Sequence, residues 1–596
     1  MGDMYQNINI YDNNILVFGK EFVSPVSDNA IFYYKFYLED SLFIGNTRCY
    51  HIRFKPKRKM ELLFSGNMWV ADTTFGLRRL EMSIPKDVNI NFIQSANVIQ
   101  EYTYTDSSWM LTKDRLVIDF SVKEGMAGIY GRKTTSYRNI VTNKAKETSF
   151  FTGTPNIVVQ DDATKKDDLF WENHRHDSLS RNEKKIIKMI DTLQTLPVYR
   201  TWVDIFTIII SGYEVIGNFE IGPYSNMLSY NLLEGTRLRL GGRTSNLFSE
   251  WYQLSGYVAY GINDKRFKYS LGFKSFISKT PRRQLVGINY KSDLEILGQS
   301  QNGFSQDNFF ASFFRRTPLR SLTRVDETML WYEREWIPGL TTKATFVNRK
   351  LSPTGGLTYD YILPDNQVKF YPYLRTSEVR LLTRFAYDEK FISGAFDRAS
   401  LGTKYPVVQL NLAASIPNLY ESQFSYKKIV LKVEDRVRLN PLLGYTDLTL
   451  EGGKYWGSAP YPLLELHGGN VTYIYDYMAY NTMNFYEFVS DQYASLWVFH
   501  HFEGLFFNKI PLLRKLKWRE VVTYKILFGS VSDANKRELI FPNTLYSLNS
   551  GPYQEVSVGI ENIAKVFRVD AFWRLSYRDV PGAQKFGIKG GFNLTF

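Results

Sequence analysis

"KFGIKGGFNLTF", residues 585–596, is the stretch of this chain that decides its fold. Apolar and polar residues alternate through it up to the last residue. The apolar parity consists of Phe586, Ile588, Phe592, Leu594 and Phe596. The other parity consists of Gly587, Lys589, Gly591, Asn593 and Thr595. Because successive side chains point to opposite faces of a strand, this pattern predicts a strand with one apolar face, one polar face and a terminal aromatic residue.

Similar amphipathic runs precede this strand back to about residue 205. Seventeen of them can be counted, separated by turns rich in Gly, Pro, Asn and Asp. Strands that are apolar outside and polar inside are typical of transmembrane β-barrels, which have an even number of strands in single bacterial chains. We therefore predict a closed antiparallel barrel of about sixteen strands over residues 205–596, with one run left as a loop or plug.

The composition supports a barrel and excludes a helical membrane protein. Aromatic residues make up 16% of the chain and charged residues 22%, and the mean hydropathy is −0.27. No apolar run approaches the roughly 18–20 residues that a spanning helix needs, since "DIFTIIISGY" (204–213) is too short and begins with an acid. Amphipathic strands keep the average hydropathy low, and aromatic girdles explain the surplus of rings.

Charge and cysteine content narrow the function classes further. The net charge is +13, but Lys and Arg are scattered rather than clustered, so we assign them to lumen and loops and expect no nucleic-acid partner. Cys49 is the only cysteine, which excludes an internal disulfide. The opening "MGDMYQNINIYDNN" has no basic region followed by an apolar stretch. We therefore expect that Met1 is not the natural start or that an N-terminal part has been lost.

Two regions precede the predicted barrel. Residues 1–150 carry short alternating runs of soluble character, which predict a small antiparallel β-domain. Residues 151–204 form a charged connector with one predicted helix. Ser180 and Glu183 are spaced as a capping box at its start, and Pro197 is expected to end it. The chain is thus all-β apart from a short helical connector.

The barrel resembles the surface-antigen, or barrel-assembly, superfamily of outer-membrane proteins. "NLLEGTRLRLGGRT" (231–244) is similar to that superfamily's first hairpin, and residues 555–596 are similar to its last three strands. The apolar parity of the last strand resembles the signature by which such barrels are recognised for assembly. Barrel-assembly proteins carry an Arg-Gly-aromatic tip on a long loop that folds back into the barrel. At the matching place this chain has "LHGGNVTYIYDYMAYN" (466–481) without that tip, which argues against an insertase role.

The whole chain resembles, more closely, a family of uncharacterised Bacteroidetes-type outer-membrane barrel proteins. The runs that carry this resemblance are "INIYDNNI", "EFVSPVSDNAIFYYKFYLEDS", "FWENHRHDSLSRNE", "NLLEGTRLRLGGRT", "MNFYEFVSDQYASL" and "NKIPLLRKLKWREV". Members usually begin with a signal sequence and a carboxypeptidase-regulatory-like domain, and we expect both to have been lost from this chain.

The N-terminal region also resembles, in residues 47–85, the lipoprotein-carrier fold. This resemblance implies an open half-barrel with an apolar concavity for an acyl chain. The alternative is a packed domain in which Tyr33, Phe36, Trp69 and Phe75 fill the interior themselves.

Candidate site residues are few. Arg237, Arg239 and Arg243 share a parity early in the barrel and are expected to face the lumen as an electropositive wall. One interpretation is a site for anionic lipid or glycan. The other, which we favour, is ordinary lumen charge satisfied by Glu and Asp residues opposite.

Catalytic and metal-binding interpretations are weaker still. His174 and His176 lie two apart in the charged connector, which admits a metal site, and His500 and His501 would face opposite sides of a strand. Ser490 and Asp491 near His500 lack a nucleophile elbow. We expect no enzyme, no cofactor and no metal.

Two functions remain. By resemblance to the surface-antigen superfamily, the chain is expected to act in envelope biogenesis, in the assembly or transport of protein or lipid. The alternative is a passive porin-like channel or a structural barrel that anchors a periplasmic domain. Both place the barrel in the cell outer membrane with the N-terminal domain in the periplasm. The expected partners are outer-membrane lipid, the barrel-assembly machinery during insertion, and lipid or lipoprotein cargo.

Overall fold

The computed structural model describes residues 8–17, 19–121, 128–145, 147, 166–299, 309–317, 322–394, 396–440 and 443–593. These residues form a small N-terminal β-domain, a helical connector and a large C-terminal β-barrel. The predicted all-β fold class is confirmed.

The N-terminal domain is a seven-stranded antiparallel meander, β3 to β9, accompanied by the hairpin β1–β2. Its strands are β1 (Asn14–Val17), β2 (Lys20–Val23), β3 (Tyr34–Ile44), β4 (Thr47–Pro56), β5 (Ser65–Ala71), β6 (Leu77–Ser83), β7 (Ile93–Thr105), β8 (Ser108–Phe120) and β9 (Ile129–Ser136), and one helical turn, α1 (Ala30–Tyr33), precedes β3.

The interior of this domain is packed with side chains. Phe22 of the hairpin stacks on Phe64 with ring centroids 4.8 Å apart, and both are buried with Phe54 in one apolar cluster. Phe36 and Phe75, which the packed alternative placed in the interior, are instead 37% and 74% exposed. The Phe22, Phe54 and Phe64 side chains fill the space between hairpin and sheet, which favours the packed alternative over an acyl-chain cavity.

The connector contains three helices where the sequence predicted one. They are α2 (Asp168–His174), α3 (Arg181–Thr195) and α4 (Pro197–Ser211). The capping box of Ser180 and Glu183 is present at the start of α3. Pro197 ends α3 as expected but also begins α4, because a proline at the first helical position sacrifices no hydrogen bond. None of the described helices is long and apolar enough to cross a membrane.

The barrel is built from one antiparallel sheet of eighteen strands in sequence order. They are β10 (Glu214–Ile216), β11 (Phe219–Ile221), β12 (Leu228–Asn231), β13 (Gly235–Thr244), β14 (Tyr252–Gly261), β15 (Phe267–Ser278), β16 (Gln284–Glu295), β17 (Leu322–Ile337), β18 (Leu340–Thr354), β21 (Leu374–Ala386), β24 (Val407–Ser415), β25 (Ser425–Asn440), β26 (Gly444–Ser458), β29 (Gln492–His501), β30 (Arg519–Ser530), β32 (Tyr553–Ile563), β33 (Phe567–Arg574) and β34 (Phe586–Phe592).

Loops of the barrel carry further short elements. They are β19 (Asp360–Ile362), β20 (Val368–Phe370), β22 (Lys390–Ser393), β23 (Arg398–Gly402), β27 (Glu465–Leu466), β28 (Phe488–Ser490) and β31 (Tyr546–Ser547), with helices α5 (Phe309–Phe313), α6 (Pro511–Leu516) and α7 (Asp533–Glu538) and 3-10 turns at Tyr224–Asn226, Leu419–Glu421, Tyr461–Leu463 and Phe507–Lys509.

Apart from the three-residue β10 at the edge, seventeen strands form the wall, and they occupy sixteen positions. β11 and β12 pair with successive parts of the same strand, β13: Phe219 lies opposite Thr244, and Leu228 lies opposite Leu238. The first strand of the barrel is therefore interrupted, at residues 222–227. This count confirms the predicted barrel of about sixteen strands.

The two faces of the wall differ as the sequence pattern predicted. Leu238, Leu254 and Leu271 point outward and are exposed, whereas Arg237 and Lys268 point inward and are buried. The barrel thus presents apolar residues on its outside and encloses charged residues. Its two ends also differ. The end that we call the short-loop end has the connections 338–339, 441–443 and 564–566 together with the longer 387–406 and 502–518, and the long-loop end has 355–373, 459–491 and 531–552.

The N-terminal domain docks on the short-loop end through buried polar contacts. Lys20 Nζ lies 2.5 and 2.6 Å from the two carboxylate oxygens of Glu503, which follows β29. Lys517 donates to the carbonyl oxygens of Val88 (2.9 Å) and Ile90 (3.2 Å). Because charged groups are rarely buried unless they are paired, this junction is a specific interface.

Candidate functional site

The candidate site is the barrel lumen, where one loop meets the wall. We call residues 459–491, which join β26 to β29, the plug. The plug folds back into the barrel: Tyr480, Met483 and Phe488 are buried in an apolar cluster with Leu527 and Tyr553 of the wall. β28 of the plug pairs with β27 within the plug and with β31 of a neighbouring loop. The segment "LHGGNVTYIYDYMAYN" therefore occupies the lumen although it lacks the tip that the superfamily resemblance calls for.

Glu555 of β32 holds the turn of the plug at Asn481 and Thr482. Its carboxylate accepts the backbone N–H groups of both residues at 2.9 Å and the Thr482 hydroxyl at 2.9 Å. The Tyr553 hydroxyl donates to the same carboxylate at 3.1 Å. Glu555 is 1% exposed. A buried carboxylate is stable only when it is well hydrogen-bonded. The plug supplies the hydrogen-bond donors that this carboxylate of the wall requires.

Two lysines of the wall bind backbone carbonyl groups of the plug. Lys589 of β34 donates to the carbonyl oxygens of Asn470 (2.9 Å) and Thr472 (2.7 Å). Lys525 of β30 donates to the carbonyl oxygens of Tyr477 and Ala479. Both side chains are at most 1% exposed. Each ammonium group thus replaces its water shell with main-chain oxygens of the plug.

Two arginines of β33 are further charged residues of the wall that contact the plug. Arg574 forms an ion pair with Glu487 of the plug at 2.6 Å, with both side chains at most 3% exposed. Arg568 is held by Asp570 through two hydrogen bonds of 2.7 and 2.8 Å, and its guanidinium lies 4.2 Å from the ring centroid of Tyr475 in the plug. The four wall strands β30, β32, β33 and β34 therefore each contact the plug through a charged side chain.

The plug is also braced internally. Asn481 donates to the carbonyl oxygen of Asp476 at 2.7 Å and accepts from the Asn470 side chain at 2.8 Å. Asn470 and Asn481 are at most 4% exposed. This amide pair ties the two legs of the plug together, so the plug meets the wall as a preformed unit.

The seam between the last and the first strand is covered by two inserted segments. On β34, Gly590 N–H donates to the Tyr473 carbonyl (3.0 Å), and Tyr475 N–H donates to the Gly590 carbonyl (2.8 Å). Tyr473 N–H in turn donates to the Phe314 carbonyl (2.8 Å), in the loop between β16 and β17. On β12, Tyr230 N–H donates to the Ser312 hydroxyl (3.2 Å).

The order across the seam is therefore β12, residues 312–316, residues 471–475 and β34. Among the residues that the structure describes, no backbone ladder joins β34 directly to β12. The plug thus contacts the wall as well as the lumen, because Tyr473 and Tyr475 bind the backbone N–H and C=O of Gly590 on the edge of the last strand.

The three arginines singled out from the sequence face the lumen, each against an acid or a ring. Arg237 forms two hydrogen bonds to Asp293 (2.7 and 2.8 Å) and two to Glu234 (3.0 and 3.4 Å). Arg243 binds Glu220 at 2.5 Å, and Arg239 lies over the Tyr257 ring at 3.6 Å. A cavity of about 330 Å³ is lined by charges of both signs, including Asp264, Lys268, Arg324 and Asp293, the partner of Arg237.

The predicted assembly signal is only partly within the described residues. Phe586, Ile588 and Phe592 are exposed on the outer face of β34, at 50%, 59% and 75%. Lys589, of the opposite parity, is buried in the lumen. Leu594 and Phe596 lie outside the described residues.

The histidine and serine candidates have ordinary partners. Ser490 lies 2.9 Å from the Nε2 atom of His467, not near His500, and both are buried. Asp491 accepts from the Ser532 amide and the Asn535 side chain, each at 2.7 Å.

The two connector histidines also have neighbours within the chain. The His174 ring stacks on Phe170, and His176 lies 3.1 Å from the Ser136 hydroxyl. In the part of the chain that the structure describes, no cluster of three or more His, Cys, Asp or Glu side chains is arranged to hold a metal.

The contacts between plug and wall were missed by sequence reasoning. Lys589 was assigned to the lumen face from its parity alone, but its partner carbonyl groups lie 117 and 119 residues away. Lys525 and Glu555 also fall on inward positions of β30 and β32, a signal that marks lumen residues without naming their partners.

Comparisons with known proteins give a family and one distant structural likeness. A model described as "Family of unknown function (DUF5686)" matches residues 2–140, and its C-terminal-domain model matches residues 210–536. No curated protein matches the chain.

Among solved structures, the crystal structure of BamA from Haemophilus ducreyi lacking POTRA domains 1-3 is similar at 10% identity and a TM-score of 0.35. The match covers 85% of this chain and 92% of that one. This likeness is too slight to say more about the chain.

Proposed function

The chain belongs to the family of unknown function DUF5686, and from this premise we propose that it is an outer-membrane β-barrel protein of envelope biogenesis. It handles lipid or protein during assembly or transport and catalyses no reaction. The observation that carries this proposal is the seam, where the plug segment 471–475, not the first strand, covers the edge of β34.

A seam of this kind is a place where the wall can open without breaking a ladder between the first and last strands. In hydrocarbon every backbone polar group needs a partner, and a continuous ladder of many hydrogen bonds would have to break as a unit. Here residues 473–475 provide the partners for Gly590, and they belong to a loop and not to a strand of the wall. Withdrawal of the plug would expose both an aqueous lumen and a free strand edge.

The plugged lumen argues against a passive diffusion channel. A porin-like barrel has a water-filled lumen. Here the plug is held by buried Glu555, Lys525, Lys589 and Arg574. Such matched buried charges indicate a lumen built to be filled.

The orientation in the envelope follows from the two ends of the barrel. Outer-membrane barrels have short periplasmic turns and longer extracellular loops. The N-terminal domain docks on the short-loop end through Lys20 and Glu503. In the proposed arrangement this domain is periplasmic, and the plug enters from the cell surface.

A structural role as an anchor is the second candidate, and the domain junction favours it. Lys20, Glu503 and Arg519 are buried together between the domain and the barrel, with Arg519 3.7 Å from Glu503. An interface of this kind fixes the domain on the barrel. The anchor role predicts that the domain works while the barrel stays closed.

Locking the seam distinguishes the two functions. In a Cys49→Ser background, Ile474→Cys with Gly590→Cys places two thiols at paired positions of the seam. Cells that carry only this variant are compared under oxidising and reducing conditions, with each single variant as the matched control. The readout is the content of outer-membrane protein and lipid.

Envelope biogenesis predicts that the oxidised, locked barrel reproduces the defect of cells without the protein, and that reduction restores them. Full complementation by a barrel shown to be locked would contradict the proposal and favour the anchor.

A further inference from the structure

The connector helix α4 has a wide apolar face that the described part of the protein leaves exposed. On a helical projection, with about 100° per residue, Val198, Tyr199, Trp202, Phe206 and Ile209 fall on one side. Their exposures are 71%, 43%, 57%, 57% and 71% in that order. Contiguous apolar surface of this extent marks a contact with a membrane or another apolar partner.

Side chains on the polar side of α4 form hydrogen bonds to backbone carbonyl groups of the chain itself. Thr201, Thr207 and Ser211 each donate a hydroxyl hydrogen bond to the carbonyl oxygen four residues back, at 3.0, 2.8 and 2.7 Å. Arg200 donates to the Gln194 carbonyl at 2.8 Å. The helix thus satisfies these hydrogen-bonding groups internally, as a helix in a water-poor environment must.

The C-terminal end of α4 lies against the interruption in the first barrel strand. Tyr224 N–H donates to the Gly212 carbonyl at 3.0 Å, and a Cβ on Gly222 would lie 2.5 Å from the same oxygen. Glu214 of β10, which follows the helix, pairs with Ile221. The helix therefore ends beside the wall, on the half that faces the short-loop end.

The exterior of the wall at this point is apolar. Ile216 of β10 pairs with Phe219 of β11 on the outer face, and the two are 53% and 57% exposed. The apolar face of α4 is thus continuous along the chain with the apolar outside of the barrel. This continuity assigns a common environment to the two surfaces.

The preceding helix, α3, has a positively charged face that anionic lipid headgroups would attract. Arg181, Lys184, Lys185 and Lys188 lie on one side of α3, and all are exposed. Ile186, Ile190 and Leu193 lie on the opposite side, at 48%, 45% and 36% exposure. A basic face opposite an apolar face is typical of helices that lie in a membrane interface.

We propose that α3 and α4 form an interfacial anchor that lies in the phospholipid leaflet on the short-loop side of the barrel. The Trp202–Phe206 face of α4 enters the acyl chains, and the basic face of α3 meets anionic headgroups. The fifteen residues of α4 extend about 22 Å, less than the roughly 30 Å of a hydrocarbon core. The helix therefore lies in the plane of the membrane. This inference rests on the proposed membrane location of the barrel.

The experiment measures the depth of nitroxide labels on the full-length protein in bilayers of phosphatidylethanolamine and phosphatidylglycerol. Labels are placed one at a time in a Cys49→Ser background, as Phe206→Cys on the apolar face and Asp204→Cys on the polar face of α4. Leu271→Cys on the outside of β15 reports whether the barrel itself is in lipid, since Leu271 is 67% exposed there. Collision rates with oxygen, which prefers lipid, are compared with those of a water-soluble nickel chelate.

The anchor predicts that the Phe206 label has a ratio of oxygen to nickel collisions several-fold above that of the Asp204 label and close to that of the Leu271 label. Equal nickel access at positions 206 and 204 would overturn the inference, because both would then be in water. Protection of the Phe206 label from both reagents would also overturn it, in favour of a protein partner or a second copy. A Leu271 label in water would refute the membrane location itself, and the anchor with it.

Discussion

The backbone N–H of Gly590, in the last strand of the barrel, donates to the carbonyl oxygen of Tyr473, in the plug, at a distance of 3.0 Å. One loop therefore closes the lumen and at the same time covers the edge of the wall. Any movement of the plug is coupled to the seam, because residues 473–475 cannot leave without freeing Gly590.

Replacing Glu555 with Gln should loosen the plug. The carboxylate accepts two backbone N–H groups and one hydroxyl of the plug, and hydrogen bonds to a charged group contribute about 1.5–3 kcal/mol each. An amide has only one oxygen for these donors and adds N–H groups that face them. We expect higher ion conductance in planar bilayers and faster protease cleavage within residues 466–481.

The matched control is Glu327→Gln, another lumen carboxylate, which is paired with Arg349 and Lys291 on neighbouring strands. We expect this variant to keep the wild-type conductance. Equal conductance of the Glu555 variant and the wild type would show that Glu555 does not hold the plug.

The domain junction should depend more on Glu503 than on Lys20. Glu503 lies against both Lys20 and Arg519, so its loss leaves two buried cations without their carboxylate, whereas loss of Lys20 leaves Glu503 with Arg519. Breaking a buried ion pair typically costs about 3–5 kcal/mol. We expect Glu503→Ala to weaken docking more than Lys20→Ala.

Docking can be measured by disulfide formation between Asn89→Cys and Asn508→Cys, whose side chains are 3.3 Å apart across the junction. The background carries Cys49→Ser. A lower yield for Lys20→Ala than for Glu503→Ala would contradict this ranking.

Replacing Asp114 with Asn should stabilise the N-terminal domain at neutral pH. Asp114 is 2% exposed, and burial raises the pKa of its carboxyl, an effect that the hydrogen bond from Gln100 and the charge of Lys133 only partly oppose. The folded domain therefore holds this proton to higher pH than the unfolded chain does. Its free energy of unfolding falls as the pH rises from the ordinary Asp pKa of about 3.9 through the raised pKa.

The variant should melt at higher temperature than the wild type at pH 7, and the difference should shrink below pH 4. The measurement is the calorimetric transition of the domain in the full-length protein. Asp119→Asn, half-exposed on the same strand, is the control and should change the transition less. A lower transition temperature for Asp114→Asn at pH 7 would refute this interpretation.

Changing Phe596 to Asp should prevent membrane assembly, as should deletion of the last strand. Phe586 and Phe592 are exposed on the outer face of this strand, which therefore lies against lipid. A barrel edge whose backbone groups have no hydrogen-bond partner is not tolerated in hydrocarbon. The measurement is heat-modifiable, protease-resistant barrel in membrane fractions. Thr595→Asp, on the opposite parity, is the control. Normal assembly of the Phe596 variant would contradict the predicted role of the terminal residue.

The alternation of residues carried most of the barrel prediction, because inside and outside differ at every second position. It placed Ile588 outside and Lys589 inside, as the structure has them. It could not predict that Lys589 binds Asn470 and Thr472, since such partners depend on barrel curvature and on where a loop folds back. Helix α4 was missed for another reason: Pro197 was interpreted as a stop alone, and the apolar run after it was tested only against the length of a membrane span.

The most direct test of the account asks which segment lies beside the last strand. In the Cys49→Ser background, Gly590→Cys is combined in turn with Ile474→Cys of the plug and with Tyr230→Cys of the first strand, and disulfide formation is measured in native membranes. A seam covered by the plug predicts a high yield for the pair 474–590 and little for the pair 230–590. A high yield for 230–590 with none for 474–590 would mean that the barrel is zipped directly, and would contradict the coupling of plug and seam.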